Sequence, residues 1–385
     1  MKKALVVGGN SGLGLSIVKN FLSTHDRIYV VGKEIPCVDD IPEDFREDFL
    51  SKTDFFKLNL ASDEFSLFDT FLDVDTLVIT AGFGRVALFE DLTEPEIANL
   101  LKVNCSAAIR IIKKFYSKIK GTEPFYTTVI GSIAGHITSP LFSVYGASKA
   151  ALCQFVENIN AELQASDTHN RILEVSPGAL NGTAFNGCEN NLELLDGITC
   201  EIIERMYNRE TLYIPQYDEV YKGVIERYRE DPLKFGAESY RYKIGSGRLC
   251  KKPQVVVGYL SGTFDLFHIG HLNLLRRAKE QCDYLVVGVH ASGSWKGKQT
   301  FIPFNERCEI IKSVRYVDEV IESPNEDSDA WDMLHYDKLF VGSDYLGTER
   351  FKRYEEYLNG KAEIVYFPYT TGTSSTQLRD ALNKK

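Results

Sequence analysis

Residues 4–14 read Ala4-Leu5-Val6-Val7-Gly8-Gly9-Asn10-Ser11-Gly12-Leu13-Gly14. Four apolar residues suit a short buried strand, and glycines at 8, 12 and 14 permit a tight turn. They also let backbone N–H groups approach a pyrophosphate at the N-terminus of the helix that follows. Ile17, Val18, Phe21 and Leu22 then recur at helical spacing. Strand, glycine turn and helix is the opening of a parallel α/β sheet. The same order returns far along the chain. There Val255-Val256-Val257-Gly258-Tyr259-Leu260 is followed by Ser261-Gly262-Thr263-Phe264-Asp265 and the helical series Leu272, Leu275 and Ala278.

Further short apolar strands are expected at Arg27–Val31, Leu77–Thr80, Thr127–Ile130 and Ile172–Val175, with helix-length segments between them. The second half repeats the pattern at Tyr284–Val289, Lys338–Val341 and Ile364–Phe367. Residues 236–252 mix Gly, Ser, Tyr and basic side chains without clear periodicity. The expected architecture is α/β, two Rossmann-like parallel-sheet domains in tandem. They span 1–235 and 253–385, joined by a linker at 236–252. A docking or dimerisation arm carrying Tyr240 and Tyr242 is the other reading of that segment.

A length of 385 residues agrees with two or three domains. With 44% hydrophobic and 25% charged residues, the chain is neither disordered nor collagen-like. Its formal charge of -10 disfavours a nucleic-acid binder while allowing a local basic pocket for a small anion. No apolar run is long enough for a bilayer, and Met1-Lys2-Lys3 leads straight into the first strand without a cleavage-like segment. Eight cysteines form no Cys-x-x-Cys pair, which argues against zinc and disulfide frameworks. A cytoplasmic protein without nucleic-acid or membrane partners is expected.

Tyr145-Gly146-Ala147-Ser148-Lys149 places a phenol and an ammonium four residues apart on one helix face, above a stripe of Leu152, Phe155, Val156, Ile159 and Leu163. The ammonium is expected to lower the pKa of the phenol and make it a proton donor near neutrality. Ser132 follows a strand, where its hydroxyl can meet a substrate carbonyl. Together these residues resemble the short-chain dehydrogenase/reductase family over roughly residues 1–225. Gly8, Gly12 and Gly14 match its cofactor turn, and Thr80-Ala81-Gly82 stands where Asn-Ala-Gly is usual. Asn104, Ser132, Tyr145 and Lys149 match its tetrad, and Pro177-Gly178 its motif after the sixth strand.

The resemblance implies that Tyr145 donates the proton, Ser132 holds the carbonyl, Lys149 binds the nicotinamide ribose and Asn104 holds a relay water. Gly8, Asn10, Ser11, Gly12, Leu13, Gly14, Ala81, Gly82, Pro177 and Gly178 would line the cofactor. The second strand ends in Gly32-Lys33 rather than an Asp, and Lys33 can attract a 2′-phosphate, so NADPH is expected, with NADH the alternative. Val7 and Asn59 depart from the family's Thr and Asp, and its last strand has no clear counterpart in the sequence.

In Gly262-Thr263-Phe264-Asp265-Leu266-Phe267-His268-Ile269-Gly270-His271, two imidazoles three residues apart enter a helix. Both can aim N–H groups at one anion, and Gly270 removes a side chain that would block it. Such an array suits charge building on a phosphate oxygen as pyrophosphate leaves. The pair could also hold a metal, but no third ligand is evident nearby, and no metal site is expected. From Val255 to Leu382 the chain resembles the HxGH nucleotidyltransferases, closest in pattern to glycerol-3-phosphate cytidylyltransferase. Matches include Arg315-Tyr316-Val317-Asp318-Glu319-Val320 and Gly372-Thr373-Ser374-Ser375-Thr376, while Tyr369 departs from the usual Arg.

The resemblance implies that His268 and His271 stabilise the α-phosphate and that Lys296, with Lys298, neutralises the triphosphate. Ser374, Ser375 and Thr376 would bind the outgoing phosphates, and Arg315 would close the site. Asp265 and Asp344 would orient groups or Mg²⁺ brought with CTP. Gly262, Thr263 and Phe264 complete the nucleotide-binding set.

Together the halves predict a bifunctional enzyme making a CDP-alditol. An NADPH-dependent reductase would convert a ketose phosphate, first ribulose 5-phosphate, to a polyol phosphate, which a cytidylyltransferase would join to CMP. CDP-glycerol, CDP-mannitol and CDP-arabinitol are alternatives, as is a reductase acting on the CDP-linked product. The expected partners are these small molecules and further copies of the chain in a homo-oligomer.

Overall fold

The computed structural model describes residues 1–36, 41–62, 65–183, 185, 190–250, 255–291 and 300–368. The chain divides into two compact units, Met1–Gln254 and Val255–Lys385.

The first unit begins with β1 (Lys3–Val7), α1 (Gly12–Phe21), β2 (Arg27–Gly32), α2 (Glu43–Lys52), β3 (Thr53–Lys57) and β4 (Thr76–Ile79). It continues with α3 (Glu94–Leu101), α4 (Ala108–Ile119), β5 (Tyr126–Ile130), α5 (Ser143–Gln164), β6 (Ile172–Val175), α6 (Glu193–Tyr207) and β7 (Leu212–Tyr213). Helices α7 (Lys222–Glu230) and α8 (Pro232–Gly245) follow. Among the described residues the strands form one parallel sheet in the order β3-β2-β1-β4-β5-β6-β7. Side chains along β1 alternate between its faces, as the period of a strand requires. Leu5 and Val7 join Ile111, Phe115 and Leu152 on one side, and Ala4 and Val6 join Ile17, Phe21 and Ile202 on the other. The order reverses between β1 and β4, which opens a crevice at their carboxyl ends, directly above Gly8.

Three elements of this unit differ from the sequence expectation. β3 lies at the sheet edge. The last strand exists as the two residues Leu212 and Tyr213, paired with Glu174 and Val175. Residues 236–245, expected within a linker, belong to α8. Asp231 caps that helix by accepting from the Lys234 N–H at 3.0 Å, Pro232 opens it, and Gly236 lets it close on Thr138 and Pro140. Past its end the Cys250 N–H donates to the Val86 carbonyl at 2.9 Å, so this segment covers the first unit.

The second unit contains β8 (Val257–Gly262), α9 (Ile269–Lys279), β9 (Tyr284–Val289), α10 (Phe304–Lys312), β10 (Glu319–Glu322), α11 (Asp327–Leu334), β11 (Lys338–Gly342), α12 (Glu349–Leu358) and β12 (Glu363–Phe367). Its described strands form a parallel sheet in the order β10-β9-β8-β11-β12, with β8 central and the reversal between β8 and β11. Leu260, Leu285, Val287 and Phe340 form its core with Leu275 and Ile311. No helix among the described residues is long and apolar enough to cross a membrane.

Candidate active sites

In the first unit the glycine turn is shaped by contact. Gly8 has φ +90°, and a Cβ there would stand 2.6 Å from the Ala81 nitrogen. A Cβ on Gly14 would collide with the Gly8 carbonyl. The first turn of α1 is thus pressed against the ends of β1 and β4. The Asn10 side chain covers Gly32, and the exposed Lys33 follows. A Cβ on Gly82 would approach Asn104 Oδ1 at 3.1 Å and Lys149 Nζ at 3.2 Å. These residues fit a dinucleotide running from the α1 turn to the Lys149 ammonium.

Asn104, Ser132, Tyr145 and Lys149 are all buried and converge at the carboxyl edge. Asn104 lies in a π-turn, Lys102–Ala107, a distortion common at functional positions. Its side chain accepts the Phe83 N–H at 2.9 Å and donates to the Phe83 carbonyl at 2.8 Å and to Ser148 Oγ at 3.2 Å. The Asn104 side chain thus fixes the loop after β4. Lys149 donates to the Ile130 carbonyl at 2.8 Å. The Ser132 loop is tied to the Pro177-Gly178 turn through the Ile133 N–H and the Pro177 carbonyl at 3.0 Å. The Tyr221 hydroxyl fills the space where a Cβ on Gly178 would lie.

One electrostatic expectation is overturned. Burial pushes the Tyr145 phenol up to about 12, against a hydrogen bond with Ser132 that works the other way. Burial likewise brings Lys149 down to about 8, with Cys153, Cys105 and Glu174 opposing. Lys149 Nζ stands 5.9 Å from the Tyr145 ring centre and points to Ile130, so desolvation outweighs its pull on the phenol. Tyr145 accordingly stays protonated at neutral pH.

A cluster that the sequence reading missed sits behind Ser132. His136 Nε2 lies 2.9 Å from Glu174 Oε1 and 3.0 Å from Ser176 Oγ, and Ser176 donates to Glu174. Cys153 Sγ is 3.8 Å from Ser176 Oγ. A side chain on Gly131 would run into this group, so the peptide joining Ile130 to Ser132 rests directly on it. Burial alone would raise the Glu174 pKa, but hydrogen bonds from His136, Ser176 and Cys153 bring it below the ordinary carboxylate range. Glu174 is therefore a buried carboxylate that supports the Lys149 charge from behind.

In the second unit Gly262, Thr263, Phe264, Asp265, His268 and His271 come together after β8. Phe264 and Leu266 adopt φ +52° and +49°, strained for residues with side chains. His268 caps α9, its Nδ1 accepting the Gly270 N–H at 3.0 Å, which puts its ring proton on Nε2. The His268 and His271 rings stack with centres 4.0 Å apart, so the pair acts as one unit. Burial, reinforced by His268, brings the His271 pKa down to about 4, and burial lowers that of His268 as well. At neutral pH both rings are uncharged N–H donors.

Asp265 accepts the N–H groups of Phe301 at 3.1 Å and Ile302 at 3.0 Å, which anchors the approach to α10. Arg307, also missed, is wholly buried and donates to the carbonyls of Thr263 at 2.6 Å, His290 at 2.8 Å, Ala291 at 2.9 Å and Ile302 at 3.0 Å. It ties three loops into one floor beneath the histidines. Asp344 follows β11 on the same sheet edge. Arg315 is not brought there. It precedes β10, where Asp318 binds the Leu285 backbone near the start of β9, and lies at the amino edge of the sheet. Lys296, Lys298, Tyr369, Ser374, Ser375 and Thr376 lie outside the described residues.

Fold and geometry define two nucleotide-handling α/β enzyme units on one chain. Residues 2–192 match the short chain dehydrogenase family model, and residues 259–381 match the cytidylyltransferase-like model. The chain is 36% identical over 125 residues to glycerol-3-phosphate cytidylyltransferase of Bacillus subtilis, covering 31% of this chain and 92% of that protein. It is also 36% identical over 125 residues to FAD synthase of Pyrococcus horikoshii, covering 31% and 82%. A solved short-chain dehydrogenase from Streptomyces avermitilis has a TM-score of 0.51 at 20% identity, covering 63% of this chain and 98% of its own. The chain belongs to the short-chain dehydrogenase family through its first unit and to the cytidylyltransferase family through its second, and is a bifunctional enzyme.

Proposed function

We propose that the two units catalyse consecutive steps, reducing a ketose phosphate and converting the resulting polyol phosphate to a CDP-alditol. NADPH, when bound, supplies the hydride to the carbonyl carbon. Ser132 holds the carbonyl oxygen, Tyr145 delivers a proton to it, and Lys149 binds the nicotinamide ribose. The absence of an acid at Gly32, with Lys33 beside it, favours the 2′-phosphorylated cofactor.

In the second unit an oxygen of the polyol phosphate attacks the α-phosphorus of CTP in line. The bond to the β-phosphate breaks and pyrophosphate leaves. His268 and His271 donate N–H groups to the phosphorus-bound oxygens as charge builds, with no covalent intermediate. Asp265 and Arg307 hold the loop that carries them. We place Mg²⁺ on the triphosphate it accompanies rather than in a protein cage, in keeping with the backbone commitments of Asp265.

The observation that carries this reading is the union of an intact Ser132–Tyr145–Lys149 set and an intact His268–His271 pair in one chain. The similar Bacillus subtilis protein is named for a polyol phosphate acceptor, which supports the same acceptor class. Ribulose 5-phosphate is the first choice of ketose, and ribitol 5-phosphate then the acceptor. The test is pyrophosphate release from CTP against a panel of alditol phosphates, paired with NADPH oxidation against the matching ketose phosphates. One carbon skeleton should serve both assays. Reduction confined to CDP-linked ketoses would reverse the order of the steps.

A further inference from the structure

The cluster behind Ser132 is also a set of metal-ligand side chains. His136 follows β5, Cys153 lies on α5 and Glu174 on β6, so no short spacing in the sequence announces them. One ligand atom from each (a ring nitrogen, the thiol sulfur and a carboxylate oxygen) lies within 4.8 Å of the other two. The donors converge on one small region. His136 Nε2 is 2.9 Å from Glu174 Oε1 and 3.0 Å from Ser176 Oγ. The point where a Cβ on Gly131 would lie is 2.7 Å from Ser176 Oγ, 2.9 Å from Glu174 Oε1 and 3.0 Å from Cys153 Sγ. Cys153, Glu174 and Ser176 are buried, while His136 is partly exposed, so the cluster meets solvent through its ring.

Hydrogen bonding accounts for His136 and Ser176, which both satisfy Glu174. It accounts poorly for Cys153, because a thiol is a weak donor and a hydroxyl would serve the carboxylate better. As a metal ligand the same sulfur is the strongest of the three. One sulfur, one imidazole nitrogen and one carboxylate oxygen suit Zn²⁺ rather than Mg²⁺ or Ca²⁺, which take oxygen. Zinc ligands at about 2.0–2.3 Å from the ion stand roughly 3.3–3.6 Å apart, so these donors need shifts of about an ångström. The charges balance as well. On binding, the thiol proton leaves to solvent, and the His136 ring carries its proton on Nδ1 and offers Nε2. Thiolate and carboxylate then cancel the two charges of the ion, which spares the cost of a buried net charge. Ser176 Oγ or a water completes the tetrahedron.

We propose that His136, Cys153 and Glu174 bind a borderline-soft divalent cation, with Zn²⁺ the type, and that its binding restrains the reductase unit. The coupling is short. The Gly131 peptide rests on the cluster, and the Ser132 backbone N–H faces the Cys153 sulfur. On the other side of that peptide, the Ile130 carbonyl holds the Lys149 ammonium at 2.8 Å. An ion that gathers the three ligands shifts the Ser132 backbone and takes up the Glu174 charge that supports Lys149.

The experiment strips the full chain of metal with a chelator and dialyses it against Zn²⁺ or, for its spectrum, Co²⁺. The cluster should retain one cation per chain, with a thiolate-to-cobalt charge-transfer band in the near ultraviolet. Cys153→Ala should abolish the band, and Cys153→Ala and His136→Gln should each weaken retention on the order of 100-fold. Thermal unfolding checks that each variant is folded, and Cys153→Ser repeats the measurement with the volume kept. His268→Ala should leave the band in place, which separates this cluster from the histidine pair of the second unit. Added Zn²⁺ should slow ketose reduction by wild type about 10- to 100-fold, and should leave Cys153→Ala at its own metal-free rate. Absence of a retained cation overturns the site, as does a band or an affinity that survives Cys153→Ala. A cation held at the cluster without effect on reduction overturns the restraint. The binding measurements use no ketose, so their failure is distinct from failure of the phosphorylated-ketose reading.

Discussion

The Asn104 side chain brackets the Phe83 peptide, accepting its N–H at 2.9 Å and donating to its carbonyl at 2.8 Å. Phe83 opens the loop that carries Gly84 beneath the Tyr145 ring, so this contact joins the π-turn to the catalytic phenol. Asn104→Ala leaves both backbone groups short of a buried partner, at a cost of about 3 kcal/mol. Thermal unfolding of the first unit should report that loss. The reductase kcat should fall about 100-fold as the loop shifts, while pyrophosphate release from CTP continues. Equal loss of both activities would contradict two independent sites.

The buried pair Tyr145 and Lys149 sets the alkaline side of the reductase profile. With Tyr145 at about 12, the proton donor remains loaded throughout the working range. Lys149, at about 8, is charged below that pH and loses its charge above it. The reductase kcat/KM should therefore fall as pH rises through about 8. Lys149→Arg should abolish that limb even where its rate is lower, because a guanidinium does not deprotonate there. Glu174→Gln should move the limb to lower pH, since the carboxylate is one of the groups that raise Lys149. A limb unmoved in both variants would assign it to another group.

The strand and glycine-turn openings, the Tyr145–Lys149 spacing and the histidine pair were legible because each depends on residues close in sequence. The turns and helical spacing follow from local sterics and period alone. Helix α8 was hidden by its exposed, Gly- and Tyr-rich face, although Asp231-Pro232 was a readable start signal. Strand β10 is short and carries a Glu at each end, unlike a buried strand. The direction of the Tyr145 shift depends on burial, which the i,i+4 spacing does not contain. Arg307 acts on backbone carbonyls from distant loops, and such partners leave no residue-type pattern. The Glu174–His136 contact spans 38 positions and has the same invisibility.

His271 gives the second unit an acid sensitivity of definite sign. Its folded value of about 4 lies below the ordinary 6.5, so the unfolded chain takes up the proton first. The unit should lose stability as pH falls from about 6.5 toward 4, by on the order of 3 kcal/mol across that window. His271→Gln should remove this part of the slope in thermal unfolding between pH 7 and 5. Since His268 is lowered too, pyrophosphate release should persist below the pH at which an ordinary histidine titrates. Loss of activity on acidification with a midpoint at 6.5 or above would show that the pair titrates no lower than ordinary histidines.

Arg307 should be the most sensitive position in the second unit outside the reacting residues. It is wholly buried, and four carbonyls from the loops after β8 and β9 and before α10 share its guanidinium. A lysine has a single nitrogen and does not reach that fan of acceptors. Removing the cation strands those carbonyls and frees the Gly262–Asp265 loop that positions His268. Arg307→Gln should cost about 3–5 kcal/mol, and Arg307→Lys should recover only a minor part. CTP-dependent pyrophosphate release should be lost in both, while NADPH oxidation by the first unit is retained. Near-normal release in Arg307→Lys would show that charge alone, rather than the directed fork, holds the loop.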